Sequence, residues 1–470
     1  MVTRIEADYL VIGAGAMGMA FADTLIAETS ATVVVVDRYH QPGGHWNLAY
    51  PFVRLHQPSA FYGVNSRPLG SDAIDRAGWN EGLYELATSG EVCSYFDQVM
   101  QQQLLPTGRV SYFPMCEYEG EGRFRSLVSG AEFEVNVRRR VVDATYMRVT
   151  VPSMRPPAYE VAPGVHCVAP NELARTRGRY HHYTVVGAGK TGMDACLWLL
   201  RQGVEAANLT WIMPRDSWLL DRARVQPGAQ FANAIAVGFL AQRQAIAEAS
   251  SIEDLFDRLA ACGQLLRLTD KVRPTMYRCA TVSLAELAQL RKIEEVVRLG
   301  RVRRIEESTI VLDAGTIPTS RETLHVDCSA DGLERRPAVS VFDGRRITLQ
   351  SVRTCQQVFS AAFIAHVEGA YSDDAVKNEL CVPIPHPDSD LDFLRTTLAN
   401  SRNQGRWAEE AGLLAWLQNA RLDFFGRLGP RLPSEQQARA QMLRLIRADA
   451  RAQAAKLEEL LLSEPPNRVA

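Results

Sequence analysis

The sequence lacks what would mark a membrane, nucleic-acid or dithiol protein. No stretch is long and apolar enough to span a bilayer. Neither sign of charge dominates: 52 Lys and Arg face 54 Asp and Glu, for a net charge of −2. That balance offers no basic surface to nucleic acid or to an anionic membrane. The arginine-rich spots, residues 138–140 and 301–304, are short and read as solvated strand or turn edges. The nine cysteines are scattered, and none forms a C-x-x-C pair. This spacing excludes a redox dithiol and a zinc ribbon, and no metal site is expected. It predicts reduced thiols in a cytoplasmic protein. Glu6 and Asp8 precede the first apolar run, so the opening is not expected to be a signal peptide.

What the chain does have is a strand, a glycine turn, a helix, a second strand and an acid, all within residues 9–46. Tyr9-Leu10-Val11-Ile12 leads into Gly13-Ala14-Gly15-Ala16-Met17-Gly18, an Ala-rich helix follows, and Val33 to Val36 ends in Asp37 and Arg38. Each glycine has its own task. Gly13 permits the tight turn, Gly15 lets a pyrophosphate approach the backbone, and Gly18 lets the helix pack on the sheet. The helix N-terminus offers free N–H groups to phosphates. Asp37 stands where a carboxylate accepts both ribose hydroxyls of an adenosine. Together these predict a dinucleotide site.

At 470 residues there is room for two or three domains. Pro51 and Pro58 make a loop of residues 50–59. A helix is expected over 91–105. Short strands at 110–113, 124–128 and 133–137 are expected to form a small antiparallel insert. Residues 141–146 read as a buried strand ending in a turn, and a Pro-rich connection over 152–170 suits a domain junction. At Tyr183 the opening pattern returns: strand, then Gly187-Ala188-Gly189-Lys190-Thr191-Gly192, then a helix and a strand over 209–213. This second strand ends in Pro214-Arg215-Asp216. Arg215 can pair with a 2′-phosphate, which favours NADP over NAD.

Residues 228–300 read as a helical insertion, with one helix over 252–268. Residues 326–332, including Asp331, repeat the layout of 142–146. Val352, Val358, Phe359 and Phe363 are expected in the core. Residues 380–387 form a rigid extended loop. The last helix is expected to start at Ser434, capped by Gln437, with Met442, Leu443, Leu445, Ile446, Leu457 and Leu460 on its apolar face. The fold class expected is α/β. Two Rossmann-like dinucleotide-binding domains, one over 1–170 and 326–470 and one over 171–325, carry the helical insertion and a helical C-terminal segment.

The chain resembles the class B flavin monooxygenases, a group of two-dinucleotide-domain flavoproteins that includes the flavin-containing and Baeyer–Villiger monooxygenases. The resemblance covers residues 9–57, 141–199 and 326–332. It implies FAD on the first glycine turn and NADPH on the second. Gly43-Gly44-His45-Trp46 is similar to the family's G-G-x-W beside the flavin. Thr145 and Asp331 lie in turns similar to its A-T-G turns. Residues 54–58 resemble its R-x-N-x-P stretch, which implies a catalytic neighbourhood of Arg54, His56 and Gln57. His56 stands where the family has Asn. It could donate a hydrogen bond near the flavin, act as acid or base near neutral pH, or be a satisfied loop histidine. The family's F-x-G-x-x-x-H-x-x-x-[YF] motif is matched only at His166, with Glu160 and Ala162 at the Phe and Gly spacings.

The resemblance implies a monooxygenase acting on a small molecule in a specialised pathway. NADPH would reduce the flavin, and molecular oxygen would then form a C4a-peroxyflavin that transfers one atom. One alternative is an NADPH-linked flavin reductase without oxygen insertion. A second is an FAD-binding subunit without catalysis. The oligomeric state stays open, a homodimer among the options.

Overall fold

Four consecutive valines, Val33–Val36, are buried on both faces, as a strand inside a parallel sheet must be. This computed structural model describes residues 2–176, 180–330, 332–423 and 435–463. Val33–Val36 lies parallel between Thr3–Ile12 and Val110–Phe113. On its other side Thr3–Ile12 pairs in parallel with Glu132–Asp143, and that strand with Arg346–Thr348. The chain therefore leaves the central strand first to one side and then to the other. Its last parallel strand comes from the C-terminal third. Helix Ala16–Glu28 packs on this sheet and against helix Gln357–Ala370. Val352, Val358, Phe359 and Phe363 are buried in the core they share.

The expected antiparallel insert needs correction. Val110–Phe113 is the parallel edge of the main sheet. Residues 133–137 and 141–143 belong to one long strand, Glu132–Asp143. Only Cys116–Gly120, Arg123–Ser126 and the start of that strand form the antiparallel meander. Short alternation reveals a strand but not its direction. Direction is set by the crossover, here through helix Ser89–Val99.

The second sheet is wholly parallel, in the order Glu295–Val297, Leu209–Ile212, His182–Val186, Thr323–Asp327, Cys167–Val168. Its order also reverses at the strand that precedes the glycine turn. Such a switch point opens a crevice at the carboxyl ends of the strands. The outbound and return crossings between the two sheets, Val149–Thr150 and Gly332–Leu333, run side by side as an antiparallel pair.

Helices Ala229–Glu248 and Ile252–Ala261 pack with Asp390–Trp407 and Gln436–Leu462 around Trp218, Phe256, Phe393 and Leu457. The helix expected over 252–268 ends at Ala261. Ser434 lies outside the described residues, as do the side chains of Met442, Leu443 and Ile446. Leu457 and Leu460 are buried, but Leu445 is 66% exposed, because the long final helix docks through Leu457 and Leu460. No helix among the described residues is long and apolar enough to cross a membrane.

Two further expectations are overturned. Cys279 and Cys355 form a disulfide, so not all thiols are reduced; the seven other cysteines are free. The bond ties the helical insertion to the loop before helix Gln357–Ala370. A separation of 76 residues leaves no local motif to read. Arg140 is not a solvated edge: it bonds to Glu368 at 3.2 Å and Asp374 at 2.5 Å, and Glu368 also accepts from Tyr9. Helix Gln357–Ala370 lies over the strand at this point and brings the acid with it.

Phe363 is fully buried and its ring lies 4.4 Å from that of Trp407. Phe363→Ala is expected to destabilise the chain by roughly 3–5 kcal/mol, read as a clear fall in melting temperature.

Candidate dinucleotide and active site

In the first glycine turn, a Cβ built on Gly18 would lie 1.9 Å from the Gly13 carbonyl oxygen. Even alanine would force the turn open. A Cβ on Gly44 would lie 3.0 Å from the Gly15 Cα, with Gly44 at φ +58°. Gly15 and Gly44 thus form a bare backbone floor beside the N-terminus of helix Ala16–Glu28, which has no side-chain cap. Asp37 is buried. Its Oδ2 accepts from the Ala14 N–H at 2.5 Å and its Oδ1 from the Tyr39 N–H at 2.7 Å. A carboxylate has about four acceptor sites, so two remain. Burial pushes the Asp37 carboxyl up, against the pull of those backbone bonds and of Arg38. Arg38 itself is exposed and donates to the Tyr39 hydroxyl.

Gly44–Leu48 is a short 3-10 turn. Trp46 donates to the Tyr62 hydroxyl at 2.7 Å, and His45 stacks on Trp46. Burial lowers His45 to about 4. Asp143 Oδ1 accepts from both the Thr145 N–H, at 2.9 Å, and the Thr145 hydroxyl, at 2.7 Å. The Thr145 methyl group lies against Gly13.

The second turn repeats these devices. A Cβ on Gly192 would lie 2.1 Å from the Gly187 oxygen, and one on Gly187 would lie 2.4 Å from the Cys328 oxygen. Gly189 faces open space. Asp327 Oδ1 accepts from the Ser329 N–H and hydroxyl, as Asp143 does from Thr145. Asp331 lies outside the described residues. Lys190 pairs with Asp194, which also accepts from the Tyr50 hydroxyl at 2.6 Å. Thr191, half-buried, is a further partner of that hydroxyl. Arg215 is bound by both oxygens of Asp388 at 3.0 Å.

The loop over 50–58 brings the two turns together. Tyr50 reaches Asp194, and the Arg54 carbonyl accepts from Lys190 at 3.4 Å. The Arg54 side chain is exposed. Gln57 is half-buried, and its side chain makes no hydrogen bond among the described residues. His56 Nδ1 accepts from the Thr281 N–H at 3.2 Å. That bond assigns the ring proton to Nε2. Burial, aided by the charges of Lys190 and Arg222, lowers His56 from 6.5 to about 3. The ring is thereby held neutral near pH 7, with Nε2–H as its donor. His166 is exposed and pairs with the Tyr180 hydroxyl.

Arg222 is the residue that sequence reasoning missed. It is 1% exposed. Its Nε donates to the His56 carbonyl at 3.0 Å, Nη1 to Asn80 at 3.0 Å and Nη2 to Glu286 at 2.7 Å. It sits in Asp221-Arg222-Ala223-Arg224, which reads locally as a charged surface turn. Beyond the loop a cavity of about 380 Å³ is lined by Tyr146, Met147, Arg335, Ser351, His386 and Asp388. Burial lowers His386 to about 4. No cluster of three or more His, Cys, Asp or Glu placed to hold a metal ion occurs among the described residues.

Two sheets with parallel centres, each with a glycine turn at its switch point and joined across one loop, define a protein with two dinucleotide-type units. The chain belongs to one family with the Uncharacterized protein Rv2000 of Mycobacterium tuberculosis. The two are 61% identical over 442 residues, covering 94% of this chain and 82% of that one. Over 92 residues it is 33% identical to a ferredoxin–NADP reductase of Salinispora tropica, covering 20% of this chain and 28% of the reductase. No protein-family model matches the chain. In structure it is similar to a flavin-containing monooxygenase from Stenotrophomonas maltophilia, at 15% identity over 77% of this chain and 97% of that one, with a TM-score of 0.44. It is also similar to an open form of cyclohexanone monooxygenase, at 12% identity over 79% and 87%, with a TM-score of 0.49.

The His56 shift has a consequence for stability. Its folded pKa is depressed, so as pH falls below 6.5 the unfolded chain takes up the proton first, and stability is lost down to about 3. The slope is about 1.4 kcal/mol per pH unit. Between pH 6.5 and 5, His56→Gln is expected to lose about 2 kcal/mol less than the parent chain. Melting curves at both pH values for the two proteins check this.

Proposed function

We propose that this chain is an FAD- and NADPH-dependent oxidoreductase, and specifically a monooxygenase that acts on a small molecule with molecular oxygen. The observation that carries the reading is the bare floor made by Gly15 and Gly44, with Asp37 beside it. It fits a pyrophosphate and an adenosine ribose, because a Cβ at either glycine would fill the space. The second turn, with Gly187, Gly189 and Gly192, fits a second dinucleotide by the same reasoning. When bound, these two groups supply hydride transfer and oxygen activation.

The chain's own residues have distinct tasks in this reading. Asp37 takes the ribose hydroxyls on its two unused acceptor sites. Thr145 braces the first turn through its methyl group. Lys190, held by Asp194, presents positive charge at the second helix N-terminus, and Thr191 anchors that end through Tyr50. His45 and Trp46 form an uncharged wall. His56 offers one hydrogen bond from Nε2 and neither takes nor gives a proton near neutrality. Gln57 adds an uncommitted amide, and the Arg54 backbone holds Lys190 in place. The likeness of Gly43-Gly44-His45-Trp46 and of residues 54–58 to monooxygenase motifs favours oxygen transfer. The 92-residue match to a ferredoxin–NADP reductase favours a second reading, a flavin reductase that passes electrons on without inserting oxygen.

Anaerobic mixing of the purified protein with NADPH, then with oxygen, separates these readings. Bleaching of the flavin absorbance by NADPH is expected, followed by oxygen uptake matched by oxygenated product. Hydrogen peroxide in place of product supports the reductase. A colourless protein, or one that NADPH does not bleach, overturns both.

A further inference from the structure

Five non-glycine residues among those described have a left-handed backbone, and both cysteines of the disulfide are among them. Cys279 has φ +55° and Cys355 φ +59°. Residues with a side chain rarely adopt that region, and they stay there only where the surrounding structure holds them. Here one covalent bond joins two such positions. Cys279 also lies in a break of strand register. Trp218 pairs with Tyr277 and Leu220 with Thr281, so Arg278, Cys279 and Ala280 stand opposite Leu219 alone and the strand bulges at the cysteine.

The two ends of the bond carry different loads. Beside Cys355, the Thr354 N–H donates to Asn400 Oδ1 at 3.0 Å, and the Thr354 hydroxyl accepts from Asn400 Nδ2 at 2.6 Å. The Val352 N–H donates to the Ser360 hydroxyl at 3.0 Å. These bonds tie the loop to helices Asp390–Trp407 and Gln357–Ala370. Beside Cys279 lies the bulge, and the bulge leads into the contacts of His56. The Thr281 N–H donates to His56 Nδ1 at 3.2 Å, and the Thr281 carbonyl accepts from Arg222 Nη2 at 3.4 Å. The Thr281 hydroxyl turns back to the Cys279 carbonyl at 3.2 Å. The disulfide thus fastens to an anchored loop the strand segment that decides which His56 nitrogen keeps its proton. Opening the bond lets the bulge shed its left-handed residue, and the shift passes through Thr281 to His56.

We propose that Cys279–Cys355 is a thiol–disulfide exchange site whose co-reactant is a dithiol, and that opening it releases His56 from the Thr281 N–H. Cys355 is half-buried and Cys279 is 7% exposed, so attack falls on Cys355. A thiolate of the dithiol bonds to Cys355 Sγ, the bond between the two cysteines breaks, and Cys279 leaves as a thiolate that takes up a proton. The second thiolate of the dithiol then attacks its own sulfur in the mixed disulfide, closes a ring and frees Cys355, which is protonated in turn. The chain gains the two electrons and two protons that the dithiol loses. None of these contacts involves a bound dinucleotide, so the exchange stands whether or not the chain is an oxidoreductase.

The test is a titration of the full chain, purified without reductant, with dithiothreitol under native conditions. Samples are quenched in acid, unfolded and alkylated, and the thiols are counted by mass. The count is expected to rise from the seven free cysteines to all nine while circular dichroism still reports a folded chain. Amide hydrogen exchange over residues 276–282 is expected to quicken about tenfold on reduction, the size of one lost hydrogen bond. The ring nitrogen signals of His56, assigned with His56→Gln, are expected to leave the pure Nε2–H form for a mixture of tautomers. Oxidised glutathione is expected to restore both signals. Cys279→Ser and Cys355→Ser are expected to show the reduced pattern with no dithiol present. The titration itself uses the parent chain, so a variant that fails to fold leaves the test intact. A bond that opens only as the chain melts is a structural staple and overturns the proposal. So does a bond that opens in the folded chain while exchange over 276–282 and the His56 signals stay unchanged. Nine thiols at the outset that oxidised glutathione does not join overturn it as well.

Discussion

In both glycine turns of this protein the backbone passes so close to itself that no side chain fits. Gly18 over the Gly13 carbonyl and Gly192 over the Gly187 carbonyl fix how each helix leaves its sheet. That close passage aims each helix N-terminus at the carboxyl edge of its sheet, where the remaining groups gather. The turns are braced by the same local device. Asp143 with Thr145, and Asp327 with Ser329, each fold a strand end back over the neighbouring glycine turn. The two units are thus built on one geometric plan, although one is assembled from distant thirds of the chain and the other is nearly continuous.

Polar contacts cross the junction between the units. Arg222 is buried and binds the loop of His56, the loop of Asn80 and the start of helix Leu284–Leu290. A buried guanidinium is costly unless its donors are met, and here they are met by groups from separate segments. That arrangement makes the position of the loop specific. His56 pays for its place with its basicity: with Nδ1 filled by the Thr281 N–H and its ring buried beside cations, it is a fixed neutral donor.

Several features were legible because they are local. A glycine turn needs contiguous residues at fixed spacing, so Gly13, Gly15, Gly18, Gly187, Gly189 and Gly192 could be read directly, as could Asp37 at the end of an apolar strand. The similarity of residues 142–146 to 326–332 was visible as layout, though not as the hydrogen bonds that explain it. Strand direction was not legible at 110–113, since alternation is the same in parallel and antiparallel strands. The exposure of Leu445 was missed because an apolar residue on a helix does not reveal where its partner ends.

The sequence by itself determined the two strand–turn–helix units, their acids and the neutral balance of charge, because each depends on residues near one another in the chain. Only the tertiary structure decided which distant groups meet. It placed Asp388 on Arg215, 173 residues away, joined Cys279 to Cys355, and buried Arg222 among His56, Asn80 and Glu286. Spacing along the chain carries turn and helix geometry, whereas the pairing of charges across a fold depends on how its sheets and helices pack.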